Sequence, residues 1–199
     1  MKGKAAIAMW WEVSPEVRAE WEEWHTVEHM PERLSIPGFL RGSRWISGES
    51  SYFMLYEAAE LGTITSGPYL ERLNNPTPWS RKMMPHHRNM VRSLCRVRGR
   101  AGDGLGHAAA TVRFSQDALP RLEERKGVTS MQLLESVPPA EVPRTEEQKI
   151  RGGDAQADRV LLVCGYDVDA VRTASRELAP PGAVVGVYRL AFSLTAKDL

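Results

Sequence analysis

Residues 4–13, KAAIAMWWEV, form an apolar run with no polar face, the pattern of a strand covered on both sides. Ser14, Pro15 and Glu16 then supply an N-cap, a first-turn proline and a first-turn acid, so a helix is expected to start there. It should run to about Met30, because Pro31 has no backbone donor and restricts the residue before it. Gly38 opens an extended segment, FLRGSRWIS, and Gly48-Glu49-Ser50 turns it into SYFMLYEA, which together read as a hairpin. The helical stretch SGPYLERLN, the proline-broken TPWSRKMMPHH and the strand-like MVRSLCRVR complete the order β-α-β-β-α-β, the split βαβ unit of a ferredoxin-like fold.

Glycines at 99, 102, 104 and 106 mark a boundary, and beyond them the order repeats. HAAATVRFS reads as strand, DALPRLEER as helix and VTSMQLLES as strand. After the polar, proline-containing insertion PPAEVPRTEEQKIRGGDAQAD come strand RVLLVCGYD, helix AVRTASREL and strand AVVGVYRLAFSL. The repeat is one of topology and not of sequence. The expectation is therefore an α+β protein of two ferredoxin-like halves with antiparallel sheets, residues 1–100 and 105–199. A ferredoxin-like sheet carries helices on one face only, so its other face must be buried, usually by a second sheet. Two units in one chain meet that need, either within the chain or across a dimer.

Composition narrows the class. At 199 residues the chain can bury a core without staples, and 42% hydrophobic against 26% charged residues is a globular balance. A net charge of +1 gives no field to draw nucleic acid or an anionic membrane. No stretch approaches the roughly 20 apolar residues needed to span a bilayer. Cys95 and Cys164 sit in apolar strand-like runs and read as buried free thiols, so a cytoplasmic setting is expected. All six tryptophans lie in the first hundred residues, with His25, His29, His86 and His87, so proton-moving and pocket-lining residues concentrate there. The second half reads as a mainly structural partner.

The first helix carries the strongest chemical signal. At 100° per residue, Val17, Trp21 and Trp24 share one apolar stripe; Glu28 falls in its middle and His25 and His29 along its edge. A carboxylate on a face meant for burial is costly unless paired or protonated. Near the helix C-terminus the macrodipole disfavours carboxylate and favours imidazolium. Glu28 and a histidine are thus expected to hold protons, which suits general acid–base work. The competing reading is a structural Glu–His pair on a half-wet face. His25-Thr-Val-Glu28-His29 also matches H-x-x-E-H, but nothing supplies a third ligand, so no metal is expected.

Elsewhere, Tyr52, Met54 and Tyr56 share one strand face, either to bind substrate or to fill the core. Arg92, Arg96 and Arg98 share another face, and Arg92 is a candidate for a substrate carboxylate. Three arginines are too few for a nucleic-acid groove. His86 and His87 follow Pro85 and read as a solvated loop.

Taken together, WEEWHTVEHMPERLSIPGFLRGSRW, YFMLYE and GPYLERLNNPTPWSRK resemble the dimeric α/β-barrel superfamily, nearest to small catabolic and EthD-like proteins in tandem form. The resemblance covers about half the chain. It implies a barrel of two four-stranded sheets with helices outside and a pocket between sheet and helix. It also implies a homodimer and a small-molecule substrate, and pocket roles for His25 and His29 with Trp24 and Glu28 beside them. No position matches a family haem ligand. The resulting expectation is a cofactor-independent isomerase or lyase, with monooxygenase chemistry open, acting on a small apolar, aromatic or cyclic metabolite. His29 would move the proton, Glu28 or His25 would orient or polarise, and Trp24, Trp45, Tyr52 and Tyr56 would wall the pocket. The alternatives are a non-catalytic small-molecule-binding or stress-type barrel protein, or a haem-binding barrel.

Overall fold

The computed structural model describes residues 1–117, 119–138 and 144–199. Strand β1 (Ala5–Glu12) is buried on both faces, as its unbroken apolar run requires. Ala5, Ile7, Met9 and Trp11 face outward beneath the helices, while Ala6, Ala8 and Trp10 face the opposite core. After a 3₁₀ turn at Pro15–Val17 comes a long helix: α1 (Arg18–Trp24), a π-helical turn (His25–His29) and α2 (Met30–Leu34). The hairpin β2 (Phe39–Ser47) and β3 (Ser51–Ala58) follows, with helices α3 (Gly67–Asn74) and α4 (Pro78–Met83), then β4 (Arg88–Gly102). The second half adds β5 (Ala108–Phe114), β6 (Val128–Ser136), α5 (Glu146–Ile150), β7 (Arg159–Gly165), α6 (Val168–Glu177) and β8 (Val184–Thr195).

The eight strands among the described residues form one closed antiparallel barrel in the order β1-β3-β2-β8-β5-β7-β6-β4. Its halves, β4-β1-β3-β2 and β8-β5-β7-β6, have the same internal order. The seams are β2 with β8 (Ser43 opposite Ser193) and β4 with β6 (Gly99 opposite Leu133). The exposed sheet faces of the two halves thus bury each other within one chain, and closure needs no second copy. The barrel core holds Trp10, Trp45, Phe53, Leu55, Leu134, Leu162 and both cysteines. Those cysteines are free and buried, and burial pushes each thiol up to about 12.

Two elements differ from the sequence expectation. Residues 119–125 form no helix: Pro120 interrupts the segment, Leu119 is exposed, and Leu122 alone packs against the second-half core. Conversely, the polar insertion contains α5, started by a capping box in which Thr145 and Gln148 satisfy each other's backbone N–H groups. That short helix reaches across to α3 and brings second-half residues to the candidate site.

Candidate functional site

Pro31 does not end the first helix, which continues to Leu34. In a regular α-helix the proline ring would press on the carbonyl four residues back. The π-helical turn at His25–His29 sits directly before it and widens the backbone there. A wider turn also changes the phase of every following side chain, so the 100° stripe stops holding after Trp24. His25 and His29 turn inward, 2% and 8% exposed. Glu28 is half-buried and turns toward α4, where it accepts hydrogen bonds from Trp24 Nε1 (3.1 Å) and Thr77 Oγ1 (2.6 Å). Thr77 is itself the N-cap of α4. Glu28 therefore ties two helices together and does not line the cavity beside them.

That cavity, about 30 Å³, lies between the outer face of β1, β3 and β4 and the helices. His25, His29 and His87 meet in it with Trp11, Tyr56 and Arg33. Hydrogen-bond partners assign two of the imidazole tautomers. His87 Nε2 accepts from Trp21 Nε1 at 2.8 Å, so its proton sits on Nδ1. His25 Nδ1 faces the donor-only Arg44 guanidinium at 3.3 Å and must accept, which puts its proton on Nε2. His29 has no such partner and is free to use either nitrogen as base. All three imidazoles are held well below the usual histidine range, first by burial. Arg44 adds to the effect at His25, Arg33 at His29 and Arg151 at His87. The sequence-based expectation of an imidazolium favoured by the helix terminus is thus reversed: the helix does not end there, and burial among arginines outweighs the dipole. Burial likewise raises the Tyr56 phenol.

Four buried polar atoms have no partner among the described residues yet belong to cavity-lining side chains: Trp11 Nε1, His29 Nδ1, Tyr56 Oη and His87 Nδ1. A buried charge network closes the far wall. Glu147 on α5 accepts from Arg33 Nη2 and, at 3.5 Å, from Arg151 Nη1, while Arg151 also forks onto Asp154 at 3.2 and 3.0 Å. Arg92 contributes Nη2, which donates to the Tyr69 hydroxyl at 2.9 Å.

Of the expected site residues, His25, His29, Tyr56 and Arg92 come together at the cavity. Trp24 packs behind His29, with ring centroids 4.7 Å apart. Tyr52 sits next to this cluster, stacked on Trp11 and tilted against Trp21, but its hydroxyl donates to Glu22 at 2.8 Å. Trp45 is inside the barrel, on the other side of the sheet. Arg96 and Arg98 are exposed, the latter paired with Glu135 at 3.1 Å. His87, expected on a solvated loop, is buried at the cavity. Its three-residue spacing from buried Met84 and Met90 was the available signal. Glu147 and Arg151 were hidden in a segment whose capping box, Thr145-Glu-Glu-Gln148, marks a helix.

No metal or haem fits these residues. The Arg44 and Arg33 guanidinium groups beside His25 and His29 oppose a divalent cation. Among the described residues no group of three His, Cys, Asp or Glu side chains converges for one. A cavity of about 30 Å³ has room for a water or two and not for a porphyrin.

Among the described residues no helix is long and apolar enough to cross a membrane. No family model matches the chain, and no curated protein does. Among solved structures, an anthrone oxidase-like protein superposes with a TM-score of 0.59 at 10% identity, covering 100% of this chain and 96% of that one. A putative monooxygenase from Fusobacterium nucleatum subsp. nucleatum gives 0.51 at 8% identity, covering 98% and 96%. At such identities the likeness is one of fold, and it establishes a dimeric α/β-barrel-type architecture, closed here within a single chain.

Proposed function

We propose that this protein is an enzyme that moves a proton, without a cofactor, on a small apolar, aromatic or cyclic metabolite. The observation that carries the reading is the set of four partnerless buried polar atoms around one cavity, because native proteins seldom leave such groups unsatisfied without a ligand or a task. His29, neutral and uncommitted, takes a proton from a carbon or oxygen acid next to a carbonyl. The N–H groups of His87 and Trp11 and the Tyr56 hydroxyl face the oxygen on which negative charge develops. His25 is locked by Arg44 as a donor and orients the site, and Glu28 acts through Trp24 and Thr77 to hold the helix. In this reading residues 1–100 supply the proton-transfer groups, and residues 105–199 complete the barrel and add Glu147 and Arg151.

Isomerisation, elimination and cofactor-free oxygenation share this first step. The solved structures described as anthrone oxidase-like and putative monooxygenase favour the last, since a resonance-stabilised carbanion is what dioxygen would attack. Entry of a ring-sized substrate requires the lining side chains Met84, Met90 and Leu73 to rotate, which unbranched methionines do readily. We keep a cytoplasmic setting, in which both buried thiols stay reduced, and a homodimer formed through surfaces other than the barrel seams.

The test is deuterium incorporation and oxygen uptake with a panel of enolisable aromatic ketones, including anthrones. His29→Ala should lower turnover by about 10²–10⁴-fold with the fold intact. Glu28→Gln should melt earlier and keep most of its rate. A folded His29→Ala variant with near-normal turnover would sink the proposal and leave a non-catalytic small-molecule-binding protein.

A further inference from the structure

The cavity is unbalanced in two respects, and both point to the same chemistry. Trp11 Nε1 can only donate, and His87 Nδ1 must donate because its other nitrogen accepts from Trp21. The unmet demand of these two atoms is therefore for acceptors. The charges are also uneven. Arg33 is paired with Glu147 and Glu32, and Arg151 with Glu147 and Asp154. Arg92 lines the same cavity, is partly buried, and has no carboxylate within 4.0 Å among the described residues; its hydrogen-bond partner is the neutral Tyr69 hydroxyl. Asp154 and Glu147 act on it only from beyond ion-pair distance, each committed to Arg151, so a guanidinium drawn from water with a phenol as its hydrogen-bond partner can take an anion.

We infer that the substrate, apolar over its ring, carries one carboxylate, which docks on Arg92 while its carbonyl or phenolic oxygen meets the Trp11 and His87 donors. This deepens the reading of the cavity as a substrate site and rests on it. Arg92 then sets specificity, selecting aromatic or cyclic acids over their neutral analogues. Tyr69 holds the guanidinium in place until the carboxylate arrives.

Benzoate and benzamide share shape and differ in charge, and tryptophan fluorescence reports their binding through Trp11, Trp21 and Trp24. Wild-type protein should bind benzoate about 10- to 100-fold more tightly than benzamide, the preference expected of one charge-assisted pair. The advantage should shrink as salt is raised. Arg92→Gln should abolish it, Arg92→Lys should keep part of it, and Arg96→Gln, on the exposed surface of the same strand, should leave it unchanged. If Arg92→Gln does not fold, the salt dependence in the wild type decides. Equal binding of the two probes, a benzoate preference insensitive to salt, or one that survives in Arg92→Gln would overturn the inference while leaving the aromatic cavity standing. Binding of neither probe would overturn both.

Discussion

Acidification is expected to unfold this protein through its three buried histidines. His25, His29 and His87 are 2%, 8% and 9% exposed, and burial with nearby arginines holds each well below its ordinary value of 6.5. Above that value the imidazoles are neutral in both folded and unfolded chains, and pH has no effect through them. Below it the unfolded chain takes up protons that the folded chain refuses, so stability falls as pH falls. Each site costs about 1.4 kcal/mol per pH unit, and three together about 4 kcal/mol per unit until the folded sites themselves titrate. Against a typical domain stability of about 5–15 kcal/mol, unfolding should come within a few pH units. Glu32 works the other way, since burial raises its carboxyl, but one group against three leaves the sign unchanged. Glu22 is lowered from 4.5, its bonds to Tyr52 and Arg18 outweighing burial, so it titrates below this window. Urea melts at intervals between about pH 7.5 and pH 5 would measure the slope. His87→Gln, which keeps an acceptor for Trp21, should remove about a third of it. A stability that is flat or rising from neutrality to pH 5.5 would refute the argument that these imidazoles are buried neutral.

Removing the α5 cap by Thr145→Ala should cost about 1 kcal/mol locally. Amide exchange at Glu146–Ile150 should rise while the barrel strands stay protected, and unchanged exchange would mean that the helix is held by Glu147 alone. Hemin titration should give no Soret band of a histidine-ligated haem, because the cavity is too small and its walls are cationic; a sharp ligated spectrum at one equivalent would show that the helices open much further than supposed.

The architecture was largely legible along the chain. Strict alternation separates Tyr52, Met54 and Tyr56 from Phe53 and Leu55, and the structure puts the two sets on opposite sides of the sheet. Errors arose where local rules met a long-range override. DALPRLEER has helical composition, but its proline interrupts it and Leu122 is the residue it packs on the second-half core. The TEEQ signature was present in a segment whose overall polarity disguised it.

Residue order alone determined the alternating strands, the repeated topology and the concentration of tryptophan and histidine in the first half, because two-residue and 3.6-residue periodicities are local properties of a backbone. It also singled out the helix bearing His25 and His29. Tertiary structure decided that the barrel closes within one chain and that Trp45 lies inside it. It turned Glu28 away from the cavity, through a π-helical turn that spacing cannot reveal. It brought in His87, Glu147 and Arg151 from distant segments and left four polar atoms without partners around one space. Protonation followed the same division: a helix terminus read from sequence suggests imidazolium, whereas burial beside Arg33, Arg44 and Arg151 makes it neutral, and burial is a property of the packed molecule.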